Sequence, residues 1–308
     1  MKSFSTFALI GVCSVFAIAA AARADTINLC SGATDGPYDQ IAHEIANNLR
    51  GSGVEVRVVS DTGGTWGNIE RTTRVSNSAQ PTQADYDAGT ACHAFIGQPD
   101  GLSALKRKNP AEANRLVTVG KLHTEYLQAL CNKDSGYTDI GELGGRDDVS
   151  IAVGDSGSGA WLIWENFIAE DSSYGTVPTK SLSGPEAVAA VANGDVTCML
   201  VPAGIPNKTV SEADELFGDQ LVLAGVNDKD FNDAVDTDGK SLYTWAKIPS
   251  GTYSKHLQGW FSGKNTVSWN ARVVMNTERI TDQKVKAKLI TAVARVRPWA
   301  QATFGGGQ

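Results

Sequence analysis

Short apolar runs alternate along the chain with turns of small residues and with segments of helical periodicity. Extended apolar stretches are predicted at 26–29, 54–59, 94–97, 116–119, 126–130, 149–153, 196–201 and 221–226. Apolar residues recur at helical spacing in 39–49, 160–168, 185–192 and 282–297, and another helix is predicted to begin at 66. The polar segment 76–90 indicates a loop. This alternation predicts an α/β fold whose mostly parallel sheets are flanked by helices.

Composition places the chain among soluble globular proteins. Its 308 residues are 42% apolar and 20% charged, which excludes a disordered chain, and the length suits two lobes better than one large domain. The 34 acids outnumber the 27 bases, for a formal charge of −7. Because no run of Lys or Arg is long enough to bind a phosphate backbone, nucleic acid is not an expected partner.

The first 24 residues have the pattern of a signal peptide. Lys2 precedes the uncharged apolar run 7–22, and Ala22 and Ala24 are the small residues that a signal peptidase recognises. The run is shorter than the about 20 residues that a membrane-spanning helix needs. We therefore predict cleavage before Asp25, export to the periplasm and no direct membrane insertion. Cleavage would remove two bases and no acid, which takes the formal charge from −7 to −9.

Four cysteines follow the predicted cleavage site: Cys30, Cys92, Cys131 and Cys198. An even number in an exported protein favours disulfides, which here have three possible connectivities. Buried free thiols are the alternative, because cysteine also packs as a small apolar side chain.

Three turns rich in small residues each connect a predicted strand to a predicted helix: 31–38, 61–66 and 155–160. Ligands of open α/β sheets bind beyond the carboxyl ends of the strands, and hydroxyls and helix N-terminal N–H groups suit polar solutes. We expect the turns and the end of strand 94–97 to surround one small solute. The predicted binding residues are Ser31, Thr34, Tyr38, Thr62, Gly63, Gly64, Thr65, Trp66, Gln98, Ser156, Ser158, Gly159 and Trp161. No metal or cofactor is expected. Replacing Thr65 or Ser158 with Ala is predicted to weaken binding and leave folding intact.

The ordered set of segments resembles the TAXI family, the solute-binding proteins of TRAP transporters. The similar segments are 28–38, 62–68, 89–98, 133–136, 143–146, 153–160, 193–206 and 248–253. The resemblance implies a two-lobed type II periplasmic binding protein, with 25–125 and 226–308 in the first lobe and 126–225 in the second. The hinge crossings would lie near 126–130 and 221–226. It also implies delivery of a small carboxylate or amino acid to a TRAP-type membrane permease, and we expect a monomer.

The charge of the solute stays open. Acids stand in all three turns, where the first turn of the family usually has uncharged residues: Asp35, Asp39, Asp61 and Asp155. Acids beside aromatic rings (Trp66, Trp161 and Trp164) suit a cationic group better than a dicarboxylate. The alternative is that the acids cap helices and the tryptophans belong to the core. Arg71 and Arg74 are expected in solvent rather than in the cleft.

Other functions fit the pattern less well. The tetrapeptide 154–157 matches the one around the nucleophile of trypsin-like proteases, but the histidine segment and the all-β pattern of that class are absent. The four turn acids are oxygen ligands that suit calcium, whereas the histidine spacing does not suit zinc. A periplasmic ligand sensor would use the same cleft without a transporter. We predict a binding protein rather than an enzyme.

Overall fold

A computed structural model describes residues 25–74, 79–236, 239–259 and 263–306, so the predicted signal peptide lies outside the described residues. The strands within these ranges are β1 (Asp25–Cys30), β2 (Val54–Val59), β3 (Ala94–Gly97), β4 (Leu116–Asn132), β5 (Ile151–Ala152), β6 (Thr179–Lys180), β7 (Cys198–Ala203), β8 (Leu221–Ala224), β9 (Thr244–Ile248) and β10 (Lys264–Asn276). The α-helices are α1 (Pro37–Leu49), α2 (Gly64–Thr72), α3 (Gln83–Asp87), α4 (Pro99–Lys108), α5 (Pro110–Ala113), α6 (Gly159–Glu170), α7 (Gly184–Ala192), α8 (Lys208–Phe217), α9 (Lys255–Gln258) and α10 (Gln283–Phe304).

The strands form one mixed sheet in the order β2-β1-β3-β10-β4-β7-β5-β6, with β8 beside β4 and β9 beside β10. At one end β1 is parallel to β2 and β3, and at the other end β5 is parallel to β6 and β7. The long strands β4 and β10 pair antiparallel with each other and join these two halves. The α/β prediction is therefore confirmed, with parallel pairing confined to the outer strands, where helices make the crossovers.

Strand β4 unites two stretches that the pattern predicts separately, 116–119 and 126–130. The residues between them are mainly polar, so no apolar alternation links the two. In the structure the whole segment pairs with β10, from Leu116 opposite Asn276 to Tyr126 opposite Ser268. Burial of His123 inside this strand depends on partners far away in the sequence, which a local pattern does not contain.

Helix α10 packs over the first half of the sheet and against α1. Its buried face, predicted from helical spacing, joins the core residues of β1 and α1: Ile27, Leu29, Ile41, Ile45, Val285, Leu289 and Val293. The helix is longer than the predicted 282–297, because it continues through Pro298 to Phe304. Neither α10 nor any other helix in the described ranges is long and apolar enough to cross a membrane.

The second half has an aromatic core. Phe167 stacks on Phe231 with ring centroids 3.6 Å apart, and Trp164 meets Tyr174 edge-on at 5.5 Å. Tyr243 packs edge-on against Phe167 at 5.9 Å. Of the two interpretations of Trp164, the core one is confirmed, because the side chain is only 1% exposed and packs in this core. Helix α6 is apolar on most of its surface, so its sequence pattern does not show whether Trp164 faces the core or the cleft.

Two disulfides resolve the cysteine pairing as Cys30–Cys92 and Cys131–Cys198. Cys131 and Cys198 stand opposite each other in the β4–β7 register. Cys30 ends β1, and Cys92 precedes the neighbouring strand β3. Each bridge therefore connects adjacent strands within one half of the sheet, and all four residues are fully buried. The free-thiol alternative is wrong.

The predicted loop 76–90 contains a helix. Residues 75–78 lie outside the described residues, but α3 forms within the remainder. Thr82 and Asp85 form a capping box, in which each side chain bonds the backbone N–H of the other residue. The loop prediction is wrong at α3, because a capping box stabilises a short helix among polar residues that lack apolar periodicity.

Candidate ligand-binding cleft

The turns that follow β2 and β5 meet directly across the two halves of the molecule. The backbone N–H of Trp66 donates to the carbonyl of Gly157 at 3.4 Å. A Cβ atom added to Gly157 would lie 2.9 Å from Cβ of Trp66, and one added to Gly159 would lie 2.6 Å from Oε1 of Gln98. Glycine is therefore required at Gly157 for the close approach of α6 to α2, and a side chain at Gly159 would displace the end of the Gln98 side chain.

A cavity of about 330 Å³ lies between these elements. Its walls come from both halves: the turn after β1, the start of α2, the end of β3, the middle of β4, the start of α6 and the end of β7. The lining residues are Gly32, Ala33, Gly36, Pro37, Tyr38, Gly64, Thr65, Gln98, His123, Glu125, Gly159, Pro202, Ala203, Gly204 and Asn207. Its size suits a small solute rather than a macromolecule.

Five of the predicted binding residues line this cavity. They are Tyr38, Gly64, Thr65, Gln98 and Gly159. Thr65 also shapes the site, because its buried hydroxyl accepts the backbone N–H of Gln98 at 3.1 Å. Gly64 opens α2 after the left-handed Gly63, which brings the helix N-terminus to the cavity.

Eight predicted residues are not among those that line the cavity: Ser31, Thr34, Thr62, Gly63, Trp66, Ser156, Ser158 and Trp161. Several of them hold the turns together. The hydroxyl and backbone N–H of Thr34 donate to the carboxylate of Asp61, at 2.8 and 2.9 Å. These bonds lower the pKa of Asp61. Ser156 is exposed, whereas Thr62 is buried.

Asp39 and Ser31 form a buried polar cluster below the first turn. The hydroxyls of Ser31 and Ser60 donate to Asp39 at 2.8 and 2.6 Å. Burial alone would raise the pKa of Asp39, but the hydrogen bonds from Ser60 and Ser31 outweigh it, and the pKa is lowered. The ionised carboxylate thus has its own partners and joins the turn to α1.

The tryptophans at the rim already hold a cation. Nζ of Lys108 lies 4.7 Å from the ring centroid of Trp66 and 5.4 Å from that of Trp161. Lys108 ends α4, so a cation from the first half bridges rings of α2 and α6. Cation–π attraction explains this arrangement. The cation that pairs with these aromatic rings is therefore a side chain of the protein, whereas the sequence suggested a cationic solute.

Other lining residues lie outside the predicted set, and the polar side chains among them are His123, Glu125 and Asn207. His123 and Glu125 come from β4, and Ala203 and Asn207 from the end of β7 and the turn after it. The carboxylate of Glu125 accepts a hydrogen bond from Tyr38 Oη at 3.0 Å and one from Trp269 Nε1 at 2.8 Å. Burial, and then the charge of Glu125, raise the pKa of Tyr38 well above its usual value. The sequence contained one signal for this site, because Glu125 is a charged residue between the predicted strands 116–119 and 126–130.

Arg71 of α2 and Arg74, which follows the helix, bind groups outside the cavity. Arg71 donates to the carbonyl of Gly89, and Arg74 pairs with Glu278 at 2.6 Å. Within the described residues, neither an Arg nor a Lys lines the cavity.

The alternative chemistries lack their geometry. Ser156 is exposed, and Ser158 donates its hydroxyl to the carbonyl of Val153 at 2.9 Å. No histidine of the described chain hydrogen-bonds either serine, so neither serine has an adjacent base that could activate it as a nucleophile. The residues that the structure describes also hold no group of three or more His, Cys, Asp or Glu side chains arranged for a metal ion.

We expect Ser158→Ala to destabilise the protein by about 1 kcal/mol, because the Ser158 hydroxyl caps α6 and accepts the N–H of Trp161 at 3.3 Å. Chemical denaturation measures this change. Ser156→Ala, at an exposed position of the same turn, is the matched control and should leave the free energy of unfolding unchanged. Equal stability of both variants with the unmodified protein would contradict this role for Ser158.

The mixed α/β fold is similar to the folds of several solved structures. XAC2383 from Xanthomonas citri, solved bound to ATP, has 9% identity and a TM-score of 0.52 over 92% of each chain. MatC from Rhodopseudomonas palustris with bound malate has 18% identity and a TM-score of 0.47, over 88% of this chain and 84% of its own. A TRAP periplasmic solute binding protein from Desulfovibrio desulfuricans with bound sn-glycerol-3-phosphate has 11% identity and a TM-score of 0.48, over 90% of this chain and 78% of its own. At these identities the similarity concerns the fold alone.

Residues 53–278 match the NMT1-like family, and the chain belongs to that family. The match extends from β2 to the last turn before α10, so it includes most of the residues that line the cavity. Among curated proteins, none has a sequence that matches this chain.

Proposed function

We propose that this protein is a periplasmic solute-binding protein, which captures one small polar solute in the cleft and performs no chemistry on it. The observation that carries the proposal is the cavity itself, which α2, β3 and β4 from one side and α6 and β7 from the other line together. A solute there would contact both halves and would be buried between them, which is how binding proteins of this architecture retain their ligands.

The two halves would move as lobes about the central strands. The lobe boundaries predicted from the sequence stay a prediction. Our proposal departs from that prediction in one segment: we place 226–236 and 239–248 with the second lobe, because Phe231 and Tyr243 pack on Phe167. On this proposal the chain crosses between the lobes in the middle of β4 and in β10 near Ser268. At Ser268 the pairing of β10 with β9 ends and its pairing with β4 begins.

Export and delivery complete the proposed function. The signal-peptide pattern of 1–24 supports a periplasmic location, and the resemblance to TAXI proteins supports a TRAP-type permease as the partner of a monomeric binding protein. Reconstituted vesicles that contain a TRAP permease should take up the solute only when this protein is added. Uptake without the protein, or none with it, would contradict this partner.

A cavity-filling variant tests solute binding. Ala203→Trp would occupy the cleft, so a solute found by a thermal-shift screen of small polar compounds should bind at least about tenfold more weakly. Ala294→Trp, on the exposed face of α10, is the matched control and should bind as the unmodified protein does. Calorimetry gives both affinities. If the solute binds Ala203→Trp with unchanged affinity, the cleft is not the binding site.

A further inference from the structure

Resting on the proposed solute-binding function, we propose that the solute carries a protonated amine, which the carboxylate of Glu125 recognises. Glu125 lines the cavity from the middle of β4 and is only 4% exposed. It is the one acid among the lining residues of the described chain. A buried carboxylate that faces a solute cavity favours a cationic partner and disfavours an anionic one.

The hydrogen bonds of Glu125 leave one oxygen available. Oε2 accepts from Tyr38 and from Trp269, which fixes the orientation of the carboxylate. Oε1 lies 3.4 Å from Nε2 of His123, which is longer than an ordinary N–H···O hydrogen bond. Because an ionised carboxylate has about four acceptor positions, Oε1 retains capacity for the N–H groups of a solute.

Two further atoms at the cavity lack partners. Oε1 of Gln98 and Nδ1 of His123 have no hydrogen-bond partner within the described chain, although the two residues are 5% and 1% exposed. Buried polar atoms are normally paired, so an unpaired one in a lining residue is available to a ligand group. An amine supplies several N–H donors at once, which matches the acceptors Glu125 and Gln98.

Few bases are present to oppose this charge. No Lys or Arg stands among the lining residues in the described ranges, Lys108 is engaged by Trp66 and Trp161, and His123 is the one ionisable base beside Glu125. A solute with two carboxylates and no amine would therefore meet Glu125 with no Lys or Arg to pair with. The N-termini of α2 and α6, at Gly64 and Gly159, still suit one carboxylate beside the amine.

Matched pairs of compounds test the amine directly on the unmodified protein. Aspartate with malate, 4-aminobutyrate with butyrate, and putrescine with butane-1,4-diol differ in the presence of the amine. We expect the amine member of at least one pair to raise the melting temperature and its partner to have no effect. Binding of aspartate or 4-aminobutyrate identifies an amino acid as the source of the amine, and binding of putrescine identifies a simple amine.

The variant Glu125→Gln keeps the shape of the side chain and removes its charge. It should weaken binding of that amine by about ten- to a hundredfold in calorimetry. Glu215→Gln, at an exposed position of α8, should bind as the unmodified protein does. The inference is overturned if no amine binds, if an amine-free partner binds as tightly as its amine, or if Glu125→Gln leaves the affinity unchanged. In the last two cases solute binding itself would stand, since Ala203→Trp tests it separately.

Discussion

Above pH 6, Asp100→Asn should be more stable than the unmodified protein by up to about 3 kcal/mol, whereas near pH 4 the two proteins should be equally stable. Asp100 lies in the first turn of α4 and is fully buried. It accepts hydrogen bonds from Tyr243 Oη and, at 3.2 Å, from Asn166 Nδ2, so it connects α4 to the aromatic core of the second half.

The direction follows from the pKa of Asp100, which is raised from 3.8 to about 6. Burial is the largest cause, and the hydrogen bonds from Tyr243 and Asn166 offset only part of it. Between these two pKa values the folded protein retains a proton that the unfolded chain has lost. Stability therefore falls as the pH rises from about 4 to about 6, and the full cost remains above that range. Asparagine is neutral at every pH in this range and therefore avoids the free-energy cost of ionising a buried carboxyl group.

His93 has the opposite pH dependence in the same range. Burial, and then the charge of Arg279, lower the pKa of His93 from 6.5 to about 4. The unfolded chain binds this proton first, so His93 reduces stability as the pH falls from 6.5 towards 4. The two effects partly cancel in the unmodified protein. In Asp100→Asn the contribution of His93 is no longer offset by Asp100, so we expect a loss of stability on acidification.

Urea denaturation at intervals from pH 4 to pH 8 measures both curves. Asp195→Asn, at an exposed position, is the matched control, and its curve should follow that of the unmodified protein. If Asp100→Asn runs parallel to the unmodified protein across the range, Asp100 does not carry this dependence. If it is less stable at pH 7, the ionised carboxylate stabilises the fold instead.

Gly204→Ala should destabilise the protein by about 3 kcal/mol or more, at the upper end of the cost of overpacking. Gly204 lies at the cavity wall, just after β7. A Cβ atom there would overlap the carbonyl oxygen of Phe304 and lie 2.7 Å from its carbonyl carbon. Because these are backbone atoms, a change of rotamer does not relieve the overlap, and the end of α10 has to move.

The displacement should also loosen the cleft. The ring of Phe304 packs 5.6 Å from that of His123, and Gln301 one turn earlier accepts the N–H of Thr124 on β4. We therefore expect faster amide exchange in the last turn of α10 together with weaker solute binding.

Gly175→Ala provides the matched control for Gly204→Ala. An added Cβ at Gly175 meets only a side-chain carbon of Ile168, at the ordinary contact distance of 3.5 Å. Denaturation and hydrogen exchange compare the two variants. Equal stability of Gly204→Ala and Gly175→Ala would contradict the proposed overlap with α10.

The sequence by itself determined the α/β class and many of the elements, but it predicted neither β9 nor the long central strand β10. Helical spacing located α1, α6 and the buried face of α10, and the alternation of strands with helices indicated the α/β fold. These features follow from local periodicity, because each residue needs only its neighbours to define a buried face. The turns that approach the cavity were also predictable, since Gly63 and Gly64 adopt left-handed conformations that glycine favours.

Only the tertiary structure decided which side chains face the solute cavity. Glu125 and Tyr38 are 87 residues apart and meet because β4 runs beside the first turn. Lys108 lies against the rings of Trp66 and Trp161, where the residue pattern suited a cationic group of the solute. A polar residue in isolation fits a cap, a surface or a site equally well, and its role depends on partners that packing brings together from distant parts of the chain.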